Sequence, residues 1–266
     1  MKEFAAYAAS VTIGLSLGLI GAGGSILTIP IFVYILQKDP VSSSIYSMFV
    51  VGICSLVGSI RSMLDKLVDF NITILLGIPS VLGVLVARKI IFPAIPLQLF
   101  TIGSFILSKD ILFMLCLSVL MFFAAEKMLK TTSHYEFNED ADIQLKTGLL
   151  LLQGLVVGII TGLLGIGGGF LIVPALYFWA RLPMKMAIGT ALWIIAINSL
   201  FSFSMSYSSM FVDWILLIKF SFGAIFGILL GSKLSSKISG NYLKKIFGWS
   251  VLSISFYIVY KQLFLL

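Results

Sequence analysis

Long stretches without a charged side chain dominate this chain, and their lengths predict its elements. Phe4 to Gln37 and Thr147 to Ala180 are each 34 residues long, and Ile111 to Ala125 and Ile246 to Tyr260 are each 15. Apolar runs of about 18 residues or more can cross a hydrocarbon core of roughly 30 Å as helix. A transmembrane barrel would need short alternating segments instead. The pattern therefore predicts an all-α polytopic membrane protein with about eight transmembrane helices. The expected spans are Ala5 to Leu36, Ser44 to Ile60, Phe70 to Ala87, Ile111 to Ala125, Leu149 to Trp179, Ala187 to Met205, Trp214 to Leu230 and Ile246 to Leu263.

The run lengths repeat because the sequence does. "GLIGAGGSILTIP" (Gly18 to Pro30) and "GLLGIGGGFLIVP" (Gly162 to Pro174) agree at seven of thirteen positions, at an offset of 144. Val68-Asp69-Phe70 falls on Val212-Asp213-Trp214 and Gly83 on Gly227 at that offset; with one residue of slippage, Ser47 falls on Thr190 and Ser55 on Asn198. This predicts two four-span repeats, residues 1–129 and 147–266, joined by a solvent-exposed polar linker at 130–146. Four spans per half implies parallel repeats related by an axis along the membrane normal. Inverted repeats need an odd number, which a ninth crossing or a hairpin-like first element would supply. The first half carries about nine extra residues in "IIFPAIPLQLFTIGSFILSKD", whose two prolines predict an interfacial or re-entrant elbow, with a ninth crossing as the alternative.

Composition agrees with a bilayer as the main partner. Of 266 residues 59% are hydrophobic and 11% charged, and the mean hydropathy is +1.11. The net charge of +7 lies mostly in short connections, which argues for topology determinants and against nucleic acid. One alternating set of connections holds Lys38, Arg88, Lys89, Arg181, Lys185, Lys233, Lys237, Lys244 and Lys245. The other holds Lys2, Arg61, Lys66, Lys127, Lys130, Lys146 and Lys261. Nine against seven places both termini outside the cytoplasm. "MKEFAAYAAS" opens into an uncharged run too long for a signal-peptide core, and reads as a retained span. Cys54 and Cys116 lack metal or redox spacing, and His134 stands in the polar linker. No metal or other cofactor is expected, and assembly into a homo-oligomer is left open.

The chemistry is concentrated where the long runs break. A 34-residue helix would be about 50 Å long, well beyond the core thickness. Gly21, Gly23, Gly24, Gly165, Gly167, Gly168 and Gly169 lie near the middles of the two runs, so each first span is predicted to be two half-helices. Backbone N–H groups at the start of the second half-helix, with the positive end of its dipole, form a ready anion site. Ser25 can cap that start or donate its hydroxyl to a ligand. Close helix packing is the competing explanation for the glycines. Ser47, Ser55, Thr190 and Asn198 offer hydrogen-bonding groups expected at matching depth in the two halves, with interhelical hydrogen bonding equally well founded. Lys219 within its span would attract an anion or snorkel to the interface. Asp69 and Asp213 start spans and are expected to cap them.

In these motifs the chain resembles the TauE/SafE family of sulfite exporters and toluene-sulfonate permeases, which carry "G-x-x-G-x-G-G-G-x-x-x-x-P" twice, each followed by an "A-x-G-T-S-L"-like patch. The second copy here follows the pattern and continues as "AIGTALW", Ala187 to Trp193. In the first copy, Ser25 replaces a glycine and "SIYSMFV" (Ser44 to Val50) replaces the patch. The resemblance implies a transporter of small sulfur-containing anions in a bacterial plasma membrane. A scaffold or assembly protein leaves the paired breaks unexplained. An intramembrane enzyme would need histidine or paired carboxylates that the spans lack. An inside-negative potential of 100 mV expels a monovalent anion by about 2.3 kcal/mol, so export needs no coupling ion. Uptake would need one, and no span offers the carboxylate or histidine of a proton-coupled carrier. Export is therefore favoured, by alternating access around the broken helices.

Overall fold

The computed structural model describes residues 2–21, 23–91, 94, 98–102, 105–108, 118–119, 122–123, 125–126, 129–130, 147–164, 169–207 and 212–264. Its helices are α1 (Lys2–Ile20), α2 (Gly23–Tyr34), α3 (Pro40–Leu64), α4 (Phe70–Val86), α5 (Thr147–Leu164), α6 (Gly169–Phe178), α7 (Met184–Ser206), α8 (Trp214–Lys237) and α9 (Gly240–Phe264). Helix α4 closes with a π-turn at Ala87–Ile91. Four helices are long and apolar enough to cross a membrane among the described residues: Val41–Leu64, Phe70–Ile91, Met184–Ser206 and Trp214–Lys237. Tyr7–Ile20 and Gly148–Leu163 are shorter apolar stretches. Most of the expected span Ile111 to Ala125 lies outside the described residues.

The extra segment of the first half departs from the helical plan. Gln98–Ile102 (β1) and Phe105–Ser108 (β2) pair antiparallel, so a short hairpin stands where an elbow or ninth crossing was expected. β-Branched and aromatic residues in "QLFTI" and "FILS" favour a pleated pair there.

The first long run is broken where its glycines predict, but it also reverses. Gly21 takes φ +76°, a left-handed conformation open to glycine at little cost, and its N–H still closes α1 on the Leu17 carbonyl at 2.7 Å. Helix α2 starts two residues later. Phe32, near its end, lies tilted against the ring of Phe220 on α8 and meets the ring of Tyr46 on α3 edge-on. These partners sit at the starts of α8 and α3. Gly21 instead packs against Ile188 near the start of α7. That start faces the far end of α3, where Gly189 meets Leu67 and Ser62, so α2 runs back alongside α1.

Contacts fix the other directions. Gly14 meets the Ala224 carbonyl and Gly18 that of Ile228, so α1 and α8 run parallel. Gly158 meets Ser80 and Gly162 meets Val84, so α5 and α4 run parallel. Gly52 meets Leu200 while Gly58 meets Leu192, so α3 and α7, the central pair, run antiparallel. The parallel relation expected between the halves therefore does not hold. Helices at matching positions of the duplicated sequence point in opposite directions, because the turn at Gly21 adds a segment that a single span would not have.

Many contacts occur twice with partners 144 residues apart. Phe70 packs on Trp193 and Trp214 on Phe49, with ring centroids 6.4 and 5.8 Å apart. Gly83 meets Leu155 and Ile159; Gly227 meets Val11 and Leu15. Gln37 and Arg181 share the left-handed region at φ 54° and 52°, and each is followed by an N–H donating back into the preceding helix, Lys38 to Phe32 and Leu182 to Leu176.

The charge sets are redistributed by this geometry. Lys185 Nζ donates to the Ser236 carbonyl at 2.9 Å, joining the start of α7 to the end of α8, and Gly189 joins both to the α3–α4 turn. Arg61, Lys66, Arg181, Lys185, Lys233 and Lys237 thus share one end of the bundle. Arg88 reaches Met48 near the start of α3, at the other end. The expected grouping of Arg88 and Lys89 with Arg181 and Lys185 is overturned.

Candidate substrate-binding region

Helices α2, α3, α6 and α7 pack about the centre, with the pairs α1–α8 and α4–α5 flanking them. The polar groups at depth therefore come mainly from α3 and α7. Ser43, Ser47, Ser55 and Ser59 on α3 and Thr190, Asn198 and Ser199 on α7 are all at most 1% exposed. A buried polar atom without a partner costs about 1–3 kcal/mol, so which of them are paired separates structural from functional roles.

Thr190 is structural. Its Oγ1 accepts the N–H of Asp69 at 3.1 Å, fixing the α3–α4 turn. The Asp69 carboxylate accepts from the Ile72 N–H at 3.0 Å and caps α4. Asp213 caps α8 through the Leu216 N–H, and its own N–H donates to the Tyr46 hydroxyl at 2.9 Å. Tyr46, at the direct offset of 144, thus does for the second half what Thr190 does for the first. Ser47 is not the matching residue. Ser47 and Thr190 also lie at opposite ends of the antiparallel α3–α7 pair, so the expected matching depth fails for them.

Asn198 and Ser55 lie near the middle of that pair. Asn198 Nδ2 donates to Ser80 Oγ on α4 at 2.6 Å, while Asn198 Oδ1 and the hydroxyls of Ser47, Ser55 and Ser199 have no hydrogen-bond partner among the described residues. Sequence reasoning missed Ser80 and Ser199, because a lone serine in an apolar span carries no pattern. Lys219 is exposed on the outer face of α8, the position of a snorkelling side chain.

Gly23, Gly24 and Ser25 form the first turn of α2, and Gly169 is the first residue of α6; Gly165, Gly167 and Gly168 lie outside the described residues. The structure does not bring the two breaks together at the midplane. The start of α2 lies beside Ile188, at the end of the bundle rich in lysine and arginine. Helix α5 delivers the chain to the other end, where Gly162 meets Val84 and Ala87, one residue from Arg88. Each helix start therefore belongs to its own side. Arg88 is half-buried at that second end, with its guanidinium 3.5 Å from the Met48 sulfur.

A bundle of apolar helices with hydrogen-bonding groups held at depth is the architecture of a polytopic membrane transporter. The family model "Sulfite exporter TauE/SafE" matches residues 6–258, and the chain belongs to that family of membrane transporters. It is 28% identical over 258 residues to a "Probable membrane transporter protein" of Xylella fastidiosa, covering 94% of this chain and 92% of the relative. It is 26% identical over 278 residues to the "Probable membrane transporter protein YunE" of Bacillus subtilis, covering 96% and 97%. No solved structure matches.

Proposed function

We propose that this chain carries small anions, sulfur-containing ones such as sulfite or sulfonates, across the inner membrane by alternating access, and that it works as an exporter. The observation that carries this reading is the set of unpartnered hydroxyls and amide oxygen held at the centre of α3 and α7, in a chain of the sulfite exporter family. The half-helix starts at Gly23-Gly24-Ser25 and at Gly169, with Gly21, Gly165, Gly167 and Gly168 preceding them in the sequence, attract the anion at the two mouths. Ser47, Asn198 and Thr190 belong to the path between them, Thr190 by holding its turn.

The two halves, 1–129 and 147–266 about the linker 130–146, are read as repeats of opposite orientation. The paired contacts 144 residues apart and the antiparallel course of α3 and α7 support this. Such repeats give one site two equivalent openings. Eight lysines and arginines, Arg61, Lys66, Arg181, Lys185, Lys233, Lys237, Lys244 and Lys245, lie toward one end, against Lys2, Lys38, Arg88, Lys89 and Lys261 toward the other. The first end is assigned to the cytoplasm and both termini to the outside.

The test is flux in liposomes holding the purified chain. Sulfite, sulfate, methanesulfonate and chloride are loaded inside, and release is followed with the membrane potential clamped. Release of a sulfur oxyanion above the protein-free rate, faster when the loaded side is negative, supports the reading. No protein-dependent flux of any of the four overturns it.

A further inference from the structure

The seam between α4 and α7 holds a hydrogen-bonding pair that the other half of the chain does not reproduce. Three contacts set the register of the seam: Asp69 with Thr190, Gly77 with Ile194, and Ser80 with Asn198. Ser80 stands ten residues from one end of the apolar stretch Phe70–Ile91 and eleven from the other, so the pair sits at half depth. At the position 144 residues on from Ser80 stands Ala224, which has no polar side-chain atom.

The hydrogen-bond balance of the pair is incomplete in a particular way. Ser80 and Asn198 are 0% and 1% exposed. Asn198 Nδ2 donates to Ser80 Oγ, so the Ser80 hydroxyl keeps its own proton, and no hydrogen bond donated by it is seen among the described residues. Asn198 Oδ1 has no donor among the described residues. The pair thus presents a donor and an acceptor side by side, and turning the amide end for end still leaves it with both.

Resting on the transport reading above, we propose that the Ser80–Asn198 pair is a single, asymmetric binding point selective for oxyanions that still carry one acidic proton. An oxyanion oxygen takes the Ser80 proton, and the acidic O–H donates to Asn198 Oδ1. A fully deprotonated dianion sets a charged oxygen against Oδ1. A sulfonate has no O–H to offer, and leaves that buried acceptor unpaired.

The experiment is protein-dependent flux in liposomes, corrected for protein-free vesicles, with total sulfite fixed and pH stepped across its second dissociation. Flux is expected to follow the singly protonated form and to fall by about tenfold per pH unit above that dissociation. Sulfate and methanesulfonate should each move at least roughly tenfold more slowly than hydrogen sulfite. Ser80→Ala should slow hydrogen sulfite by about tenfold, and Ser80→Thr, which keeps the hydroxyl, should restore most of it. Flux that is flat across the dissociation, or methanesulfonate flux equal to that of hydrogen sulfite, overturns the assignment while transport itself stands. No flux of any probe overturns the transport reading along with it.

Discussion

Two side chains on different halves make the same repair. The N–H of Asp69 would be left without a partner in a turn pressed against α7, and Thr190 accepts it; Tyr46 does the same for Asp213. Thr190→Val and Tyr46→Phe should each lower stability by about 1–2 kcal/mol, the cost of an orphaned N–H, read as thermal unfolding in detergent. The two losses should add, because the residues lie at opposite ends of the bundle. Asp39 offers a pH test. It caps α3 by accepting the Ser42 N–H at 2.9 Å, and that bond holds its carboxyl below the usual range. A depressed carboxylate pKa contributes stability above the unfolded value and loses it as pH falls through the folded one. The gap between wild type and Asp39→Ala, about 1 kcal/mol at neutral pH, should therefore close in acid. The caps at Asp69 and Asp213 were legible in the sequence because capping is local. The role of Thr190 was not, since its partner lies 121 residues away and no spacing rule reaches that far.

At the scale of helices, the glycines divide into two kinds. Gly21 carries a turn, and its φ of +76° penalises any other residue. Gly14 and Gly158 lie inside helices, where a Cβ would overlap a carbonyl oxygen of the partner helix. Gly14→Leu and Gly158→Leu should force α1 from α8 and α5 from α4, at about 1–3 kcal/mol or more each. The expected readout is loss of the monodisperse peak on size exclusion. Gly148→Leu, where nothing lies within 4 Å, serves as the control. The break at Gly21 could be read from the run length and the clustered glycines. Its reversal could not, because a glycine turn and a glycine kink have the same composition, and only the contacts of Phe32 and Ile188 distinguish them.

For the whole molecule, that one turn decides the relation of the halves. Counting each long run as one span gave parallel repeats; counting it as a hairpin gives opposed ones, with Arg88 and Lys185 at opposite ends. In a cysteine-free background, Lys89→Cys and Lys185→Cys should therefore react with a membrane-impermeant thiol reagent from opposite faces of sealed vesicles. Lys66→Cys should follow Lys185→Cys. Lys89 and Lys185 reacting from the same face would return the parallel arrangement.

The same hairpin bears on how the protein enters the membrane. Its turn is set by Gly21, with α2 starting at Gly23, and the whole run from Phe4 to Gln37 holds no charge. A charged residue at mid-membrane costs about 2.5–3.5 kcal/mol on insertion scales, and neither arm of the hairpin buries one. Helices α1 and α2 can then be laid into the bilayer together, each covering the other's backbone, with the turn at Gly21 on the face assigned to the cytoplasm and the flanking Lys2 and Lys38 on the opposite face. The direction of this first stroke is set by residues outside it, so a lysine added at the turn joins the basic end of the bundle and should leave the orientation unchanged, whereas one added midway along α1 should hinder insertion.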